Sequence, residues 1–271
     1  MVDIVASALK QKKVGHAGTL DPLATGVMVV CVGYATKLVD FIHDLPKAYS
    51  AVFLLGRSSP SDDLETDVCM EEHPVCPSIE QLFEARAGFC GEILQKPCDY
   101  SAVHVNGQRA YRIARKGRDI MIQPKRVRID ELNIVHYEWP RLLCDVVCSS
   151  GTFIRAIGRD LAASVGTSAV MESLTRTAIG PFSQESAVQL KDVNEETVRR
   201  RLRPAGEALP HMERFTLQDG MLDQAIRGAL MNITSETECI AAVDENGVLV
   251  GVLSRLQTGA YRLKPNFRGA G

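Results

Sequence analysis

A turn-forming stretch near the amino terminus limits how this chain of 271 residues can fold. Residues 15–26 read GHAGTLDPLATG. The Asp-Pro step among glycines cannot continue a helix, because a residue that precedes proline is driven out of the helical region. A helical pattern at 3–13 precedes this stretch, and a β-branched apolar run at 27–32 follows it. The sequence therefore predicts a helix, a turn and a strand, with one carboxylate, Asp21, in the turn.

Later patterns predict both strands and helices. They predict strands at 48–56 and 142–148 and helices at 77–87, at 107–117 and after the turn SSGT at 149–152. Ser78 followed by Gln81 is a capping-box spacing, which marks the start of a helix. The helix after SSGT carries Arg155 in its first turn. This mixture predicts an α+β fold.

From about residue 211 the pattern changes to short β-like runs separated by turn signals. Asn246-Gly247 stands between two apolar stretches, which is a strong hairpin signal. We therefore predict two domains, at 1–208 and 209–271.

Composition and cysteine spacing exclude several classes of protein. Hydrophobic residues make up 45% and charged residues 24%, as in ordinary globular proteins, and the longest apolar run is far too short to cross a bilayer. The amino terminus lacks the basic start of a secretory signal, so we predict a cytoplasmic protein with no membrane association. The eight cysteines include no C-x-x-C pair, which argues against a metal site. Cys144 and Cys148 are predicted to be reduced and buried on a strand.

Charge is distributed unevenly although the net charge is only −2. Residues 108–128 contain eight Lys or Arg and one acid, a second basic cluster, RRRLR, lies at 199–203, and acids concentrate at 61–72. Such runs are usually solvated faces, and the acidic segment is expected to be an exposed loop. A basic segment that includes Tyr111 also fits a surface for a nucleic-acid backbone, with one aromatic ring for stacking. Composition alone leaves both interpretations open.

Asp21 is the candidate reactive residue of the turn. Three further residues could assist it, although each of the four also has an ordinary structural role. An Asp before Pro usually accepts backbone hydrogen bonds, and His16, Tyr49 and Arg155 are each common structural residues. No Gly-Lys-Ser/Thr phosphate loop, dinucleotide fingerprint or serine nucleophile elbow is present in the turn. The residues therefore leave two possibilities, a reaction centred on a carboxylate or a binding turn.

Several segments, in order from residue 3 to about 195, resemble the TruB-type tRNA pseudouridine-55 synthases. KVGHAGTLDPLATGVMVVCVGYATKL is similar to the signature that holds the family's catalytic aspartate, and KAYSAVFLLG is similar to its second motif, which supplies a tyrosine. Further similar segments are SDDLETD, YSAVHVNGQRAYRIARKG, CSSGTFIRAIGRDLA and LTRTAIGPF.

The resemblance implies both a fold and an activity. It implies a mixed, mainly antiparallel sheet with flanking helices and a small β-rich PUA-like domain at the carboxyl end. It also implies isomerisation of uridine to pseudouridine at position 55 of the tRNA T-loop by base flipping, without cofactor or metal. The expected partner is the T stem-loop of tRNA, with no guide RNA and no obligatory protein partner.

The resemblance also assigns site residues. Asp21, Arg155 and Tyr49 correspond to catalytic positions; Asp21 and Arg155 are expected to be paired, and Tyr49 to stack on the flipped base. His16 is expected to stabilise the rearranged loop. The full set of predicted substrate-binding residues is His16, Gly18, Thr19, Leu20, Tyr100, Arg109, Tyr111, Arg115, Lys116, Leu174 and Arg176.

Two departures from the family pattern accompany the resemblance. Family members normally begin with a strand and a Lys-Pro-x-Gly-x-Thr-Ser stretch, and the printed sequence starts beyond it, so we expect an unfilled sheet position or an exposed edge. Ser150 replaces the usual Lys, which is expected to weaken RNA affinity without affecting chemistry. Two alternatives are a non-catalytic RNA-binding or RNA-folding protein on the same scaffold and a guide-RNA-dependent synthase of the same superfamily.

Overall fold

The computed structural model describes residues 1–101, 103–105, 107–114, 116 and 121–267. The α-helices in this part of the chain are α1 (Val2–Leu9), α2 (Val39–Asp44), α3 (Ile79–Arg86), α4 (Ala110–Ala114), α5 (Ile154–Ser164), α6 (Glu195–Arg201) and α7 (Asp219–Ile226). Its strands are β1 (Val14–Ala17), β2 (Ala24–Gly26), β3 (Val29–Val32), β4 (Lys47–Leu55), β5 (Arg57–Ser58), β6 (Cys69–Met70), β7 (Gly91–Gln95), β8 (His104–Val105), β9 (Gln108–Arg109), β10 (Lys125–Glu138), β11 (Arg141–Cys148), β12 (Ala169–Ile179), β13 (Phe182–Ser183), β14 (Arg214–Thr216), β15 (Cys239–Val243), β16 (Leu249–Arg255) and β17 (Tyr261–Asn266). None of the helices in this part of the chain has both the length and the apolar character needed to cross a bilayer.

By its internal contacts the chain divides into two compact units, neither of which is continuous in sequence. The sheet unit comprises Leu20–Val27 and Leu45–Ile179. The composite unit comprises Met1–Thr19, Met28–Asp44 and Gly180–Gly271. The boundary predicted between residues 208 and 209 stays a prediction.

A mainly antiparallel sheet forms the framework of the sheet unit. Its strands lie in the order β12, β4, β11, β10, β7, each antiparallel to the next, and β2 is parallel to β12. On β11 the apolar side chains alternate, so that Leu142, Cys144, Val146 and Cys148 are buried on one face. The strands at 48–56 and 142–148 and the burial of free Cys144 and Cys148 are thus confirmed. With the helices that pack on it, this sheet confirms the predicted mixed α+β fold.

Helix α5 lies very close to the sheet because Gly158 has no side chain. A Cβ built on Gly158 would lie 2.1 Å from Cδ1 of Phe53, a β4 ring that is fully buried. The carboxyl-terminal neighbours Leu161 and Ala162 are also buried in this interface. The glycine therefore sets the distance between the helix and the sheet.

Replacing Gly158 by Ala is expected to lower the free energy of unfolding by about 1–3 kcal/mol, because the buried Phe53 ring cannot move without overpacking its neighbours. Thermal or denaturant unfolding followed by circular dichroism measures the change. Gly88→Ala is the matched control, since nothing lies within 4 Å of a Cβ built there. Equal unfolding midpoints for Gly158→Ala and Gly88→Ala would contradict this account of the interface.

The carboxyl-terminal part of the composite unit is a small sheet with the order β14, β15, β16, β17. The predicted hairpin is confirmed, since β15 and β16 are antiparallel and Gly247 occupies the turn with φ of 75°. Its core includes Leu217, Ile240, Val250 and Tyr261. This confirms the β-rich character predicted for the end of the chain.

The predicted start of α3 is confirmed, and the bounds predicted for a helix over 107–117 are wrong. The Ser78 Oγ accepts from the Gln81 backbone N–H, and Gln81 Oε1 accepts from the Ser78 N–H, which completes the capping box of α3. The helix predicted over 107–117 is confined to Ala110–Ala114 in the described residues. Gly107, with φ of 79°, lies between β8 and β9, so a hairpin precedes the helix. The predicted end at Gly117 lies outside the described residues.

Candidate active site

The segment that carries Asp21 is fixed to the sheet just beyond a tight turn. The Ala24 N–H donates to the Asp21 carbonyl at 2.9 Å, with Pro22 in the second position of the turn. Strand β2 then pairs with β12, and Gly26, with φ of 109°, lies so close that a Cβ there would be 2.2 Å from the Arg176 carbonyl. This close pairing holds the position of the Asp21 turn.

Arg155 is held by the amino-terminal end of α5, as predicted. Phe153 precedes the helix, and its N–H donates to Gln95 Oε1 at 2.8 Å while its carbonyl accepts from Gln95 Nε2 at 3.0 Å. Gln95 lies on β7 and is buried. One buried amide therefore fixes the first turn of α5, and with it Arg155, to the sheet. Sequence analysis did not identify Gln95, because nothing in the local pattern indicates its partner.

Asp21 and Arg155 form an ion pair in which only the acid is accessible. Arg155 Nε lies 3.2 Å from Asp21 Oδ2, and the side chains are 6% and 42% exposed, respectively. Burial disfavours the charged guanidinium, but the Asp21 carboxylate, followed by Cys98, Asp63 and Asp62, outweighs it, so the pKa of Arg155 lies above its ordinary value. Arg155 thus remains cationic beside a carboxylate that a ligand can reach. The predicted pairing is present.

A second carboxylate, Asp63, holds the opposite side of Arg155. Arg155 Nη1 donates to the Ser61 carbonyl at 2.9 Å and lies 3.2 Å from Asp63 Oδ2, while Nη2 donates to the Tyr100 carbonyl at 3.1 Å. Asp63 is 1% exposed and its other oxygen accepts from Ser61 Oγ at 2.5 Å. Every nitrogen of the guanidinium therefore has an acceptor, so its orientation is fixed.

The burial of Ser61 and Asp63 corrects the expectation that the acidic segment 61–72 is an exposed loop. Its later residues Leu64, Val68 and Met70 are exposed, as expected, but its beginning is internal. An acid can be buried here because Arg155 and local donors satisfy both carboxylate oxygens. The likeness of SDDLETD to a family loop was the one sequence signal for this role.

Tyr49 and Arg176 interact beside the Asp21 pair. Tyr49 is half-buried on β4, and burial raises the pKa of its phenol, an effect that Arg176 opposes and Asp21 reinforces. The Arg176 guanidinium donates to the Tyr49 hydroxyl and, through Nε, to the Val27 carbonyl at 2.8 Å. The phenol therefore stays protonated, and its ring is held by a buried arginine.

Leu174 also lies on β12, buried in the hydrophobic core and paired with Ala24 of β2. Its assigned role in substrate binding stays a prediction.

The predicted residues of the signature turn are divided between the units. His16, Gly18 and Thr19 belong to the composite unit and Leu20 to the sheet unit. His16 lies on β1, and among the described residues its buried Nδ1 has no hydrogen-bond partner. The RNA-contacting roles of these residues stay predictions.

The predicted basic segment contributes exposed cations on β9 and after α4. Arg109 and Lys116 are exposed. Tyr111 is half-buried, and its hydroxyl accepts from Arg112 Nε at 3.3 Å, which lowers its pKa. Arg115 lies outside the described residues.

Farther along the segment, surface acids compensate the charge. Arg126 lies 3.9 Å from Glu92, and Arg128 lies 2.6 Å from Asp130. Two of the cations in the second half of the basic segment, Arg126 and Arg128, are therefore compensated by acids.

The site can hold one ionised carboxylate next to a fixed cation and a protonated phenol, which suits chemistry that uses a nucleophilic or basic oxygen. In the part of the chain that the structure describes, no group of three or more His, Cys, Asp or Glu side chains is arranged to bind a metal ion.

Comparisons with known proteins give the family and the fold that this chain resembles. The model of the TruB family pseudouridylate synthase N-terminal domain matches residues 7–154. A tRNA pseudouridine synthase B of Clostridium tetani is 37% identical over 219 residues, which cover 81% of this chain and 76% of the relative. Another, from Parabacteroides distasonis, is 41% identical over 190 residues, 69% of this chain and 80% of that protein.

A chain in the crystal structure of a Cbf5-Nop10-Gar1 complex superposes with a TM-score of 0.77 at 20% identity, covering 99% of this chain and 80% of that chain. At this identity the likeness shows the fold alone, which is the predicted pseudouridine synthase fold. Together with the match of the family model to more than half of the chain, these findings show that the chain belongs to the TruB family of pseudouridylate synthases.

Proposed function

We propose that this enzyme converts uridine to pseudouridine in tRNA, at position 55 of the T-loop. The observation that carries the proposal is the pair of Asp21, partly exposed, and Arg155, buried, at 3.2 Å. Relatives named tRNA pseudouridine synthase B, at 37% and 41% identity, support tRNA as the substrate. The signature resemblance supports the position within the T-loop.

The reaction breaks the bond between ribose C1′ and N1 of uracil and forms a bond between C1′ and C5. The C5 proton is lost and N1 gains a proton, so the product is an isomer and no electrons are transferred to a second molecule. The chemistry therefore needs no redox cofactor. Attack on the sugar, attack on the base and removal of a sugar proton all require an ionised oxygen, which Asp21 supplies next to Arg155.

The uridine must leave the loop stack to reach Asp21, at a cost of a few kcal/mol that contacts in the pocket offset. Tyr49 is suited to stack on the extruded base, since its ring is half-buried and its hydroxyl is held by Arg176. His16 is proposed to stabilise the rearranged loop. Arg109 and Lys116, both exposed, are proposed to contact phosphates, with Arg115 of the same segment.

We assign the recognition of RNA to this chain itself, without a guide RNA or an obligatory protein partner. The fully bonded guanidinium of Arg155 argues against the alternative of a non-catalytic RNA-binding protein, because binding alone has no use for a buried cation aimed at an accessible acid.

The direct test uses the wild-type protein and a T stem-loop RNA. Carbodiimide treatment followed by primer extension is expected to reveal one pseudouridine, at position 55. A matched RNA with cytidine at position 55 should give no stop. Absence of product in the first RNA, with binding intact, would support the non-catalytic alternative instead.

A further inference from the structure

Two arginines on the same face of α5 bridge the same two chain segments. Arg155 joins residues 61–63 to the Tyr100 carbonyl. One helical turn later, Arg159 Nη1 lies 2.8 Å from Asp62 Oδ2, and Nη2 donates to the Lys96 carbonyl at 2.9 Å. Residues four apart on a helix lie one above the other. The bridge made by Arg159 therefore lies one helical turn beyond the bridge made by Arg155 and joins the same two segments.

Asp62, which forms the second bridge, has an unusual backbone conformation and further contacts of its own. Its φ is 58°, in the left-handed region that non-glycine residues seldom adopt. Its carbonyl accepts from the Met171 N–H at 2.9 Å, and its carboxylate interacts with the buried Cys98 thiol. The residue directly follows Ser61 and precedes Asp63, both of which hold Arg155.

Burial makes the carboxyl group of Asp62 harder to ionise than an exposed one. Burial raises the pKa of Asp62 above its ordinary value, and this outweighs the opposing effects of Cys98 and Arg159. A carboxyl group whose pKa is raised on folding favours the folded state in its protonated form, and that contribution is lost as pH rises through the raised pKa. Arg159, at 2.8 Å, acts in the opposite direction and favours the ionised carboxylate.

We propose that Asp62 and Arg159 are positioning residues for the reaction. Their contact fixes residues 61–63 and 96–100, and these residues keep Arg155 directed at Asp21. The proposal rests on the proposed function. If the second bridge is broken, the Ser61 carbonyl, Asp63 and the Tyr100 carbonyl are free to shift, and Arg155 loses the acceptors that aim its Nε at Asp21. Such a shift lowers the rate of the chemical step, because reaction rates depend steeply on the placement of catalytic groups.

The test is Asp62→Gly, since glycine adopts a φ of 58° without strain, and circular dichroism checks that the variant is folded. Its single-turnover rate on T stem-loop RNA should fall on the order of tenfold, less than the roughly hundredfold that a 1 Å displacement can cost. Release of tritium from C5 of the target uridine measures the rate. Filter binding should show an unchanged dissociation constant for RNA.

Two further variants separate positioning from a general structural effect. Arg159→Met should reproduce the loss, and the double variant Asp62→Gly/Arg159→Met should lose no more than either alone, because both substitutions break one bridge. Asp160→Asn is the matched control. Asp160 also pairs with Arg159, at 2.8 Å, but lies on α5 itself and joins no second segment among the residues that the structure describes. The Asp160→Asn variant should therefore retain the wild-type rate.

The outcomes distinguish this proposal from the proposed function. An inactive wild-type protein would overturn the proposed function. An active wild type with full-rate Asp62→Gly and Arg159→Met variants would overturn the positioning role alone. The positioning role would also be overturned if the two single losses multiplied in the double variant.

Discussion

Asp21→Asn is expected to remove pseudouridine formation, lowering the single-turnover rate by at least about four orders of magnitude. Asparagine keeps the shape of the side chain but supplies neither a negatively charged oxygen nor a base, and the substitution removes one of the two carboxylates that lie 3.2 Å from the Arg155 guanidinium. Tritium release from the C5 position of the target uridine, with enzyme in excess, measures the rate constant. RNA affinity should be retained, since Asp21 adds negative charge to a site that binds a polyanion.

Asp145→Asn is the matched control for this prediction. Asp145 is exposed on β11 and lies in the same sheet unit, so its substitution removes the same charge without touching the Asp21 site. It should turn over as fast as the wild type. Substantial product from Asp21→Asn would mean that another group performs the chemistry, and Asp63 would be the next carboxylate to test.

The Asp21–Arg155 pair could be predicted from sequence because each residue lies in a distinctive segment. The Asp-Pro step predicts a turn, the SSGT turn predicts the start of α5, and the family resemblance joins the two. Periodicity alone could not have done so, since Asp21 and Arg155 are 134 positions apart in the sequence. The local patterns predicted the turn and the helix, and the family resemblance predicted that Asp21 and Arg155 lie together.

Asp63 shows why the surroundings of the pair were not predicted. Its neighbours in sequence are acidic and polar, a composition typical of a solvated face, and its burial depends on a guanidinium 92 positions away. Whether such an acid is exposed depends on its long-range partner, which local composition does not encode. The same is true of Gln95, whose partner backbone lies at Phe153.

Strand β2 illustrates a second limit. The residues Ala24–Gly26 are too few to show a strand pattern, and their parallel pairing with β12 depends on the close approach that Gly26 permits. Conversely, the pattern at 107–117 has helical spacing, but Gly107 forms the turn of the hairpin β8–β9 and delays the helix. Conformation at single glycines, rather than average propensity, decided both cases.

Arg155→Lys is expected to lower the single-turnover rate about a hundredfold to a thousandfold while leaving RNA affinity nearly unchanged. Lysine keeps the positive charge but replaces a rigid fork by a single ammonium group. One ammonium cannot contact Asp21, Asp63 and the Tyr100 carbonyl in the directions that Nε, Nη1 and Nη2 of Arg155 serve. The Asp21 carboxylate then loses its fixed partner. Single-turnover kinetics and filter binding on the same T stem-loop RNA give the two quantities.

The split between rate and affinity decides the role of Arg155. A group that orients Asp21 affects the chemical step, whereas a phosphate contact affects binding, so an equal fall in both quantities would argue that Arg155 binds the RNA backbone instead. Arg141→Lys is the matched control, because Arg141 pairs with Glu172 at 2.8 Å on an exposed part of the same sheet. It should change neither quantity. A rate loss seen in Arg155→Lys and not in Arg141→Lys would therefore show that the reaction depends on the geometry of the buried guanidinium and not only on its charge.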